Sequence, residues 1–270
     1  MSQMDSRSSA RGSYFSARRR RAVPDTTGLE VVYGRNVVRE ALRGRRRVHS
    51  LLLAGARPNQ EEELGSGEDD LPPVKRMSTE GLSARLGTED HQGIAAEVDP
   101  YPYVDEKELF ERFTLLVALH EVQDPHNLGA IIRTAEAAGA GVIISRHRAV
   151  EVTAAVVKAS AGATEHAAVA RVRNLSNFLV VAKERGFWVY GASVGAGRDY
   201  AQEDYTLPTC FVLGSEGQGL GRRVTSLCDV TVNLPMAGKM DSLNVSVSTG
   251  VLLYEAVRQR KQRPGPRKGG

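Results

Sequence analysis

Three short stretches of this 270-residue chain gather polar side chains and glycines in patterns that could do chemistry. The first runs from Leu119 to Arg133. It sets Asn127 and Arg133 six residues apart, between one and two turns along a helix. They follow Asp124-Pro125, and either Asp124 or Asn127 can cap that helix. The second, 214–221, follows an apolar run and holds four glycines in eight residues. Such density means a close backbone approach or several turns with positive φ. The stretch lacks the Gly-Lys-Ser/Thr of a nucleotide phosphate loop and the glycine spacing of a dinucleotide site. Glu216 in its middle would repel a phosphate. A neutral or cationic ligand fits better, and a sulfonium is one such group. In the third stretch, 233–248, Pro235 ends a strand and Gly238 permits a turn. Ser242 is a candidate cap. Asn244, Ser246 and Ser248 then alternate at the start of a helix that must be half buried, where polar groups need partners.

Each stretch also has a bland explanation: capping for Asn127, tight turns for the glycines, solvent contact for the serines. No His/Cys cluster has metal-ligand spacing, so no metal site is expected. Cys210 and Cys228 are too few and too far apart for a disulfide framework. They read as small residues in or near the core.

The elements that must position these stretches alternate. Residues 115–119, 141–145, 167–170, 187–191, 210–213 and 230–234 read as strands. Residues 127–138, 153–161, 175–185 and 243–258 read as helices. This order predicts an α/β domain, a parallel sheet with helices on both faces. Ligands of such sheets sit in the loops beyond the carboxyl ends of the strands. Before it lies a small α/β unit, 28–100. It starts at Leu29, continues with a helix carrying Val37, Val38, Ala41 and Leu42 on one face, and holds strands at 48–53 and 94–98 with a short helix near 79–86. Residues 58–73, rich in acids, Gly and Pro, read as a surface loop. Pro100 and Pro102 mark 101–113 as a linker before the larger domain at 114–260.

The net charge of +4 is unevenly spread. Residues 1–24 hold six arginines and one acid, and residues 258–270 hold six basic residues and no acid, which leaves the body between them acidic. Basic tails at 1–27 and 261–270, read as disordered, suggest a polyanionic partner, with nucleic acid first among the candidates. Arg43, Arg45, Arg46 and Arg47 form a second basic cluster suited to phosphate contact; the alternative is a solvated helix end. No apolar run approaches the roughly 18–20 residues that cross a bilayer, so no membrane partner is expected. The N-terminus lacks the apolar core of a secretory signal. Its Arg and Ser content also matches an organelle transit peptide, and cytoplasmic is the default expectation.

Taken in order, the stretches NLGAIIRTAEAAG, FVLGSEGQGL and NLPMAGKMDSLNVSVSTGVLLYEAVRQR resemble the three signature motifs of the SpoU (TrmH-like) class of the SPOUT superfamily, the knotted RNA 2′-O-ribose methyltransferases. A weaker resemblance, carried by VVYGRNVVREAL and HQGIAAEV, links residues 30–98 to the substrate-binding domain of that family's large-subunit rRNA branch, a ribosomal L30e-like RNA-binding fold. The resemblance implies a deep trefoil knot in the C-terminal domain, S-adenosyl-L-methionine as cofactor, and a homodimer with its active site near the subunit interface, to which the last helix would contribute. It assigns cofactor binding to Gly214, Leu234, Met236 and Leu243, and catalysis to Asn127, Arg133, Glu216, Ser242 and Asn244.

Methyl transfer to a ribose hydroxyl requires a held near-attack geometry and removal of a proton from a poor nucleophile. An arginine keeps its proton in a protein. Arg133 is therefore read as holding the adjacent RNA phosphate and steadying the forming oxyanion. Glu216 would orient Arg133 or accept the proton through water, and Ser242 and Asn244 would orient the hydroxyl and the loop. The implied substrate is a guanosine of large-subunit rRNA. The alternatives are tRNA, an antibiotic-resistance rRNA target, a non-catalytic ribosome-assembly factor and a small-molecule methyltransferase.

Overall fold

The computed structural model describes residues 28–55, 64, 71–195, 197–215 and 219–262. The expected tail at 1–27, most of the one at 261–270, and Glu216 lie outside the described residues.

The first unit is a four-stranded mixed sheet. Its strands are β1 (Glu30–Tyr33), β2 (Val48–Ala54), β3 (Val74–Met77) and β4 (Ile94–Val98), in the order β1-β4-β2-β3. Two helices cover it, α1 (Arg35–Arg43) and α2 (Thr79–Leu86). The central strands β2 and β4 are almost wholly buried because both sheet faces are covered. α2 packs Leu82 against Leu52, Ala54 and Ala95. α1 contributes Val37, Val38 and Ala41 on the other side, three residues of the face expected from their spacing.

The second unit is a seven-stranded parallel sheet. It contains β5 (Leu115–Leu119), β6 (Gly141–Ser145), β7 (Val169–Val172), β8 (Trp188–Ala192), β9 (Arg198–Asp199), β10 (Thr209–Leu213) and β11 (Val230–Asn233), in the order β7-β6-β5-β10-β8-β11-β9. α4 (Pro125–Ala138), α5 (Ala154–Ala159) and α8 (Val245–Gln262) cover one face. α3 (Glu106–Arg112), α6 (Leu175–Glu184) and α7 (Arg222–Thr225) cover the other. β5 reads as an unbroken apolar run, and β6 and β10 as apolar runs broken only at their ends by Ser145 and Thr209, because both of their faces are buried.

Residues 101–113, expected as a linker, are integrated into this second unit. Val104 bridges to Ala170 at the sheet edge, and α3 buries Leu109 beside Phe178 and Leu179. Asp105 caps α3 by accepting from the Lys107 backbone N–H at 2.9 Å.

The two units share one continuous apolar core. Val32, Val37 and Val38 of the first belong to the same buried cluster as Val156 and Val157 of α5. A buried ion cluster lies at the junction. The Arg46 Nε donates to Glu165 Oε2 at 2.9 Å and another guanidinium nitrogen donates to Glu165 Oε1, while a third contact reaches Glu30 at 2.9 Å. Both side chains of the Arg46–Glu165 pair are at most 1% exposed. Burial works against the charge on Arg46, but the hydrogen bond and charge of Glu165, with Glu30, outweigh it and raise its pKa. Arg46 is thus not an RNA phosphate contact; its fork is consumed inside the protein. Arg45 donates to the Ala167 carbonyl across the same junction, while Arg43 and Arg47 stay exposed. Gly44 between them is required by proximity: a Cβ there would stand 2.6 Å from the Glu165 Cβ.

Candidate active site

The loops that follow β5 and β10, adjacent strands of the parallel sheet, meet where such sheets hold their ligands. The His120 backbone N–H donates to the Leu213 carbonyl at 2.8 Å and so ties the two loop bases together. A cleft of about 350 Å³ opens there, lined by Glu121, Val122, Gln123, Asp124, Asn127, Ser215 and Val245. It draws a lining residue from each of the three stretches singled out in the sequence.

α4 begins beside this cleft. Asp124 caps it, its Oδ1 accepting from the His126 N–H at 2.9 Å, and Pro125 fits the first turn because no intrahelical donor is needed there. Of the two caps left open by the sequence, the helix uses Asp124. That leaves the Asn127 side chain for other work. Asn127 is buried, and its Oδ1 accepts from Asn244 Nδ2 at 2.9 Å. Asn244 in turn caps α8: its Oδ1 accepts from the Ser246 backbone N–H at 2.8 Å and from Ser246 Oγ at 2.6 Å. The sequence placed the cap at Ser242 and the helix start at Leu243. The structure moves the cap to Asn244 and starts the helix at Val245, leaving Ser242 exposed in the preceding loop.

These bonds impose one orientation on two amides. The Asn244 oxygen is fixed by the α8 N-terminus, so its nitrogen faces Asn127. The Asn127 oxygen is then taken, and its NH2 is presented on the opposite edge of that amide.

Arg133 is not brought to this pair. Six residues on a helix is about 600°, which leaves Arg133 about 120° around α4 from Asn127. Asn127 is buried and Arg133 is exposed, with no ion pair or hydrogen bond among the described residues.

Directly after β10, Ser215 and Gly219 of the glycine-rich stretch pair with each other. The Gly219 N–H donates to the Ser215 carbonyl at 3.0 Å, with Gly219 at φ 60°. A Cβ on Gly214 would lie 2.0 Å from the Gly219 carbonyl oxygen, so the fold-back excludes any side chain at Gly214. The loops after β8 and β11 flank it, since the local strand order is β10-β8-β11. They present apolar side chains to solvent: Val194, Met240 and Leu243 are 61%, 76% and 42% exposed, while Leu234 packs on the core and Met236 is half-buried. Backbone edges and unpartnered apolar groups suit a flat heterocycle with a neutral sugar, not a phosphate, and a nucleoside fits this donor set.

Glu121, Val122, Gln123, Ser215 and Val245 line the cleft but were not singled out from the sequence, which carries no signal for which loop residues turn inward. Neither thiol lines it. Cys210 is buried and its pKa rises through desolvation; Cys228 is pushed up to about 11 by burial and by Asp229. Neither is a nucleophile at neutral pH.

The sequence pattern of the SpoU rRNA methylase family matches residues 114–254. The chain belongs to the SpoU rRNA methylase family. A second pattern, described as RNA 2′-O ribose methyltransferase substrate binding, matches residues 31–104. Among relatives of this SpoU protein, YacO of Bacillus subtilis (strain 168), assigned to the TrmH family of tRNA/rRNA methyltransferases, is 40% identical over 245 residues, covering 86% of this chain and 96% of that protein. A Staphylococcus saprophyticus protein with the same assignment is 36% identical over 242 residues, covering 85% and 96%. The crystal structure of the SpoU methyltransferase AviRb from Streptomyces viridochromogenes, in complex with the cofactor AdoMet, is similar with a TM-score of 0.75 at 28% identity, covering 87% of this chain and 91% of that one. The AdoMet-bound rRNA methyltransferase from Sinorhizobium meliloti gives 0.73 at 27%, covering 86% and 88%. The family expected from the three motifs is therefore the family found, and it is one of RNA methyltransferases.

Proposed function

We propose that this chain transfers a methyl group from S-adenosylmethionine to the 2′-hydroxyl of a ribose in RNA, and that the target is a guanosine of large-subunit rRNA. The observation that carries the reading is the Asn244–Asn127 hydrogen bond, which joins the first and third family motifs at a cleft also lined by Ser215. The presence of a substrate-binding domain supports RNA as substrate, and the two solved relatives named for AdoMet support the cofactor.

Gly214, Leu234, Met236 and Leu243 would hold the cofactor's adenosine, through backbone edges and apolar contact. Bound there, the cofactor supplies an electrophilic methyl on a sulfonium. The chain supplies the rest. The NH2 edge of Asn127 would orient the ribose, and Asn244 keeps that edge from flipping. Arg133, a fixed cation, would hold the neighbouring phosphate and stabilise charge developing on the ribose oxygen. Glu216, outside the described residues, is assigned to orient Arg133 or take the proton through water. Ser242 would shape the loop that closes over the reacting atoms.

Arg133 lies around α4 from Asn127, so the site as assigned needs a further surface to complete it. α8 presents Val247 and Tyr254 to solvent at 51% and 50% exposure, with Leu243 just before it. This apolar row supports a homodimer in which α8 carries the interface. The chain path supports the trefoil knot of the family: after β11, beyond β8, it returns past β10 to lay α8 on α4. In the substrate-binding domain, Arg43 and Arg47 are the exposed candidates for phosphate contact.

The test is transfer of labelled methyl from S-adenosylmethionine to purified large-subunit rRNA and to tRNA, with reverse-transcription mapping of ribose methylation in a deletion strain. One lost guanosine site in rRNA is the expected result. Label in tRNA alone would replace the rRNA assignment, as the tRNA/rRNA designation of the relatives permits. Label in neither would sink the reading.

A further inference from the structure

The strands β5, β6 and β7 lie side by side, and the loops at their carboxyl ends form one rim beside the cleft. Two residues on that rim hold unusual backbone. Glu121, after β5, has φ 57° and Arg148, after β6, has φ 52°; neither is glycine. Left-handed backbone is costly for such residues and concentrates at functional sites. The two strained residues face each other. Arg148 Nη1 stands 3.5 Å from Glu121 Oε1, and Glu121 lines the cleft. The Arg148 side chain is 75% exposed, so most of its five donors still point outward.

The basic surface continues from Arg148 toward β7. The Arg146 backbone N–H donates to the Val172 carbonyl at 2.9 Å, which sets Arg146 beside Arg173. The acids beside this surface each pair with one arginine. Glu121 is engaged by Arg148, and Glu151 by Arg171 at 2.6 Å, which also packs over the Tyr103 ring. Arg146, His147 and Arg173 are exposed and make no ion pair among the described residues.

We infer that Arg146, Arg148 and Arg173 form a phosphate-binding rim on the methyltransferase domain itself, which grips the RNA backbone beside the target ribose, with Glu121 as the positioning residue that holds Arg148 at the lip of the cleft. The inference rests on the RNA methyltransferase reading and adds a substrate contact on the opposite side of the cleft from the glycine-rich loop. The planar guanidinium fork matches phosphate geometry, and the Glu121 contact limits the freedom that Arg148 loses when RNA binds.

The experiment measures RNA binding at several salt concentrations, methyl-transfer kinetics and S-adenosylmethionine affinity for the wild-type chain, Arg148→Ala, the triple variant Arg146→Ala/Arg148→Ala/Arg173→Ala, and Glu121→Gln. Arg112→Ala, on α3 and paired with Glu108, is the charge-loss control. Removing one arginine that holds a phosphate should lower the slope of log affinity against log salt by roughly 0.7–0.9, so the triple variant should lose roughly 2–3. KM for RNA should rise more than kcat falls, cofactor affinity should hold, and Arg112→Ala should match wild type. Glu121→Gln should raise KM while leaving the salt slope unchanged, since Arg148 keeps its charge but loses its anchor. Wild-type methylation of RNA together with an unchanged slope in the triple variant overturns the rim and leaves the functional reading standing. A wild-type chain that methylates no RNA overturns both.

Discussion

Asn244 donates to Asn127 across 117 positions of sequence, and the same Asn244 caps the helix that follows it. One side chain therefore starts α8 and sets the amide orientation of a buried residue on α4.

The two duties separate in Asn244→Asp. An aspartate still accepts from the Ser246 N–H, so the cap survives and stability should stay within about 1 kcal/mol of wild type. It cannot donate to Asn127, whose amide would then turn its NH2 toward the new carboxylate. Methyl transfer should fall tenfold or more while thermal unfolding barely moves. Equal activity in the two proteins would remove Asn127's orientation from the mechanism.

Gly214→Ala tests the fold-back after β10. The added methyl would meet the Gly219 carbonyl at 2.0 Å, and relieving such a clash costs about 1–3 kcal/mol. The loop must open. S-adenosylmethionine affinity, read by calorimetry, should weaken by about tenfold or more, with secondary structure retained by circular dichroism.

Arg46→Met leaves Glu165 buried without its partner. Removing one member of such a pair typically costs about 3–5 kcal/mol, so urea unfolding should show a loss of that order. Adding Glu165→Leu should recover much of it, because neither charge is then stranded. A loss below about 1 kcal/mol in the single variant would mean that water reaches Glu165 and replaces the lost guanidinium.

Acid stability should carry a mark from Glu97. Burial alone would raise its pKa, but hydrogen bonds from Lys75 and Ser50 and the charge of Arg85 outweigh that and hold it below the usual carboxylate range. A carboxylate with a lowered folded-state pKa binds fewer protons folded than unfolded. Its stabilisation is present above the unfolded value, about 4.3, and is lost as pH falls through the lower folded value. Glu97→Gln should flatten that acid limb in unfolding curves taken at stepped pH.

How much of this was legible depends on where the partners lie. The apolar runs of β5, β6 and β10 announced themselves because burial on both faces leaves only their ends polar, at Ser145 and Thr209. Strand β3, Val-Lys-Arg-Met, did not: three of its four residues are exposed on an edge, and only backbone pairing with β2 makes it a strand. The position of Arg133 on another side of α4 was readable from spacing alone. The Asn127–Asn244 contact was not, because no local rule joins residues so far apart; only the family resemblance grouped them. Arg46 looked like its three basic neighbours, and its burial depends on Glu165, 119 residues away. The cap at Asn244 rather than Ser242 was a choice between two acceptable residues, and the one used also bonds Asn127.

The ion cluster and shared core at the junction of the two units act as a caliper. The span from Arg43 and Arg47 to the cleft is set by the protein's interior and not by a hinge. On the proposed function, an RNA that touches both must supply its own curvature to fit, and a single nucleotide inserted between the two contacts should shift which ribose reaches Asn127.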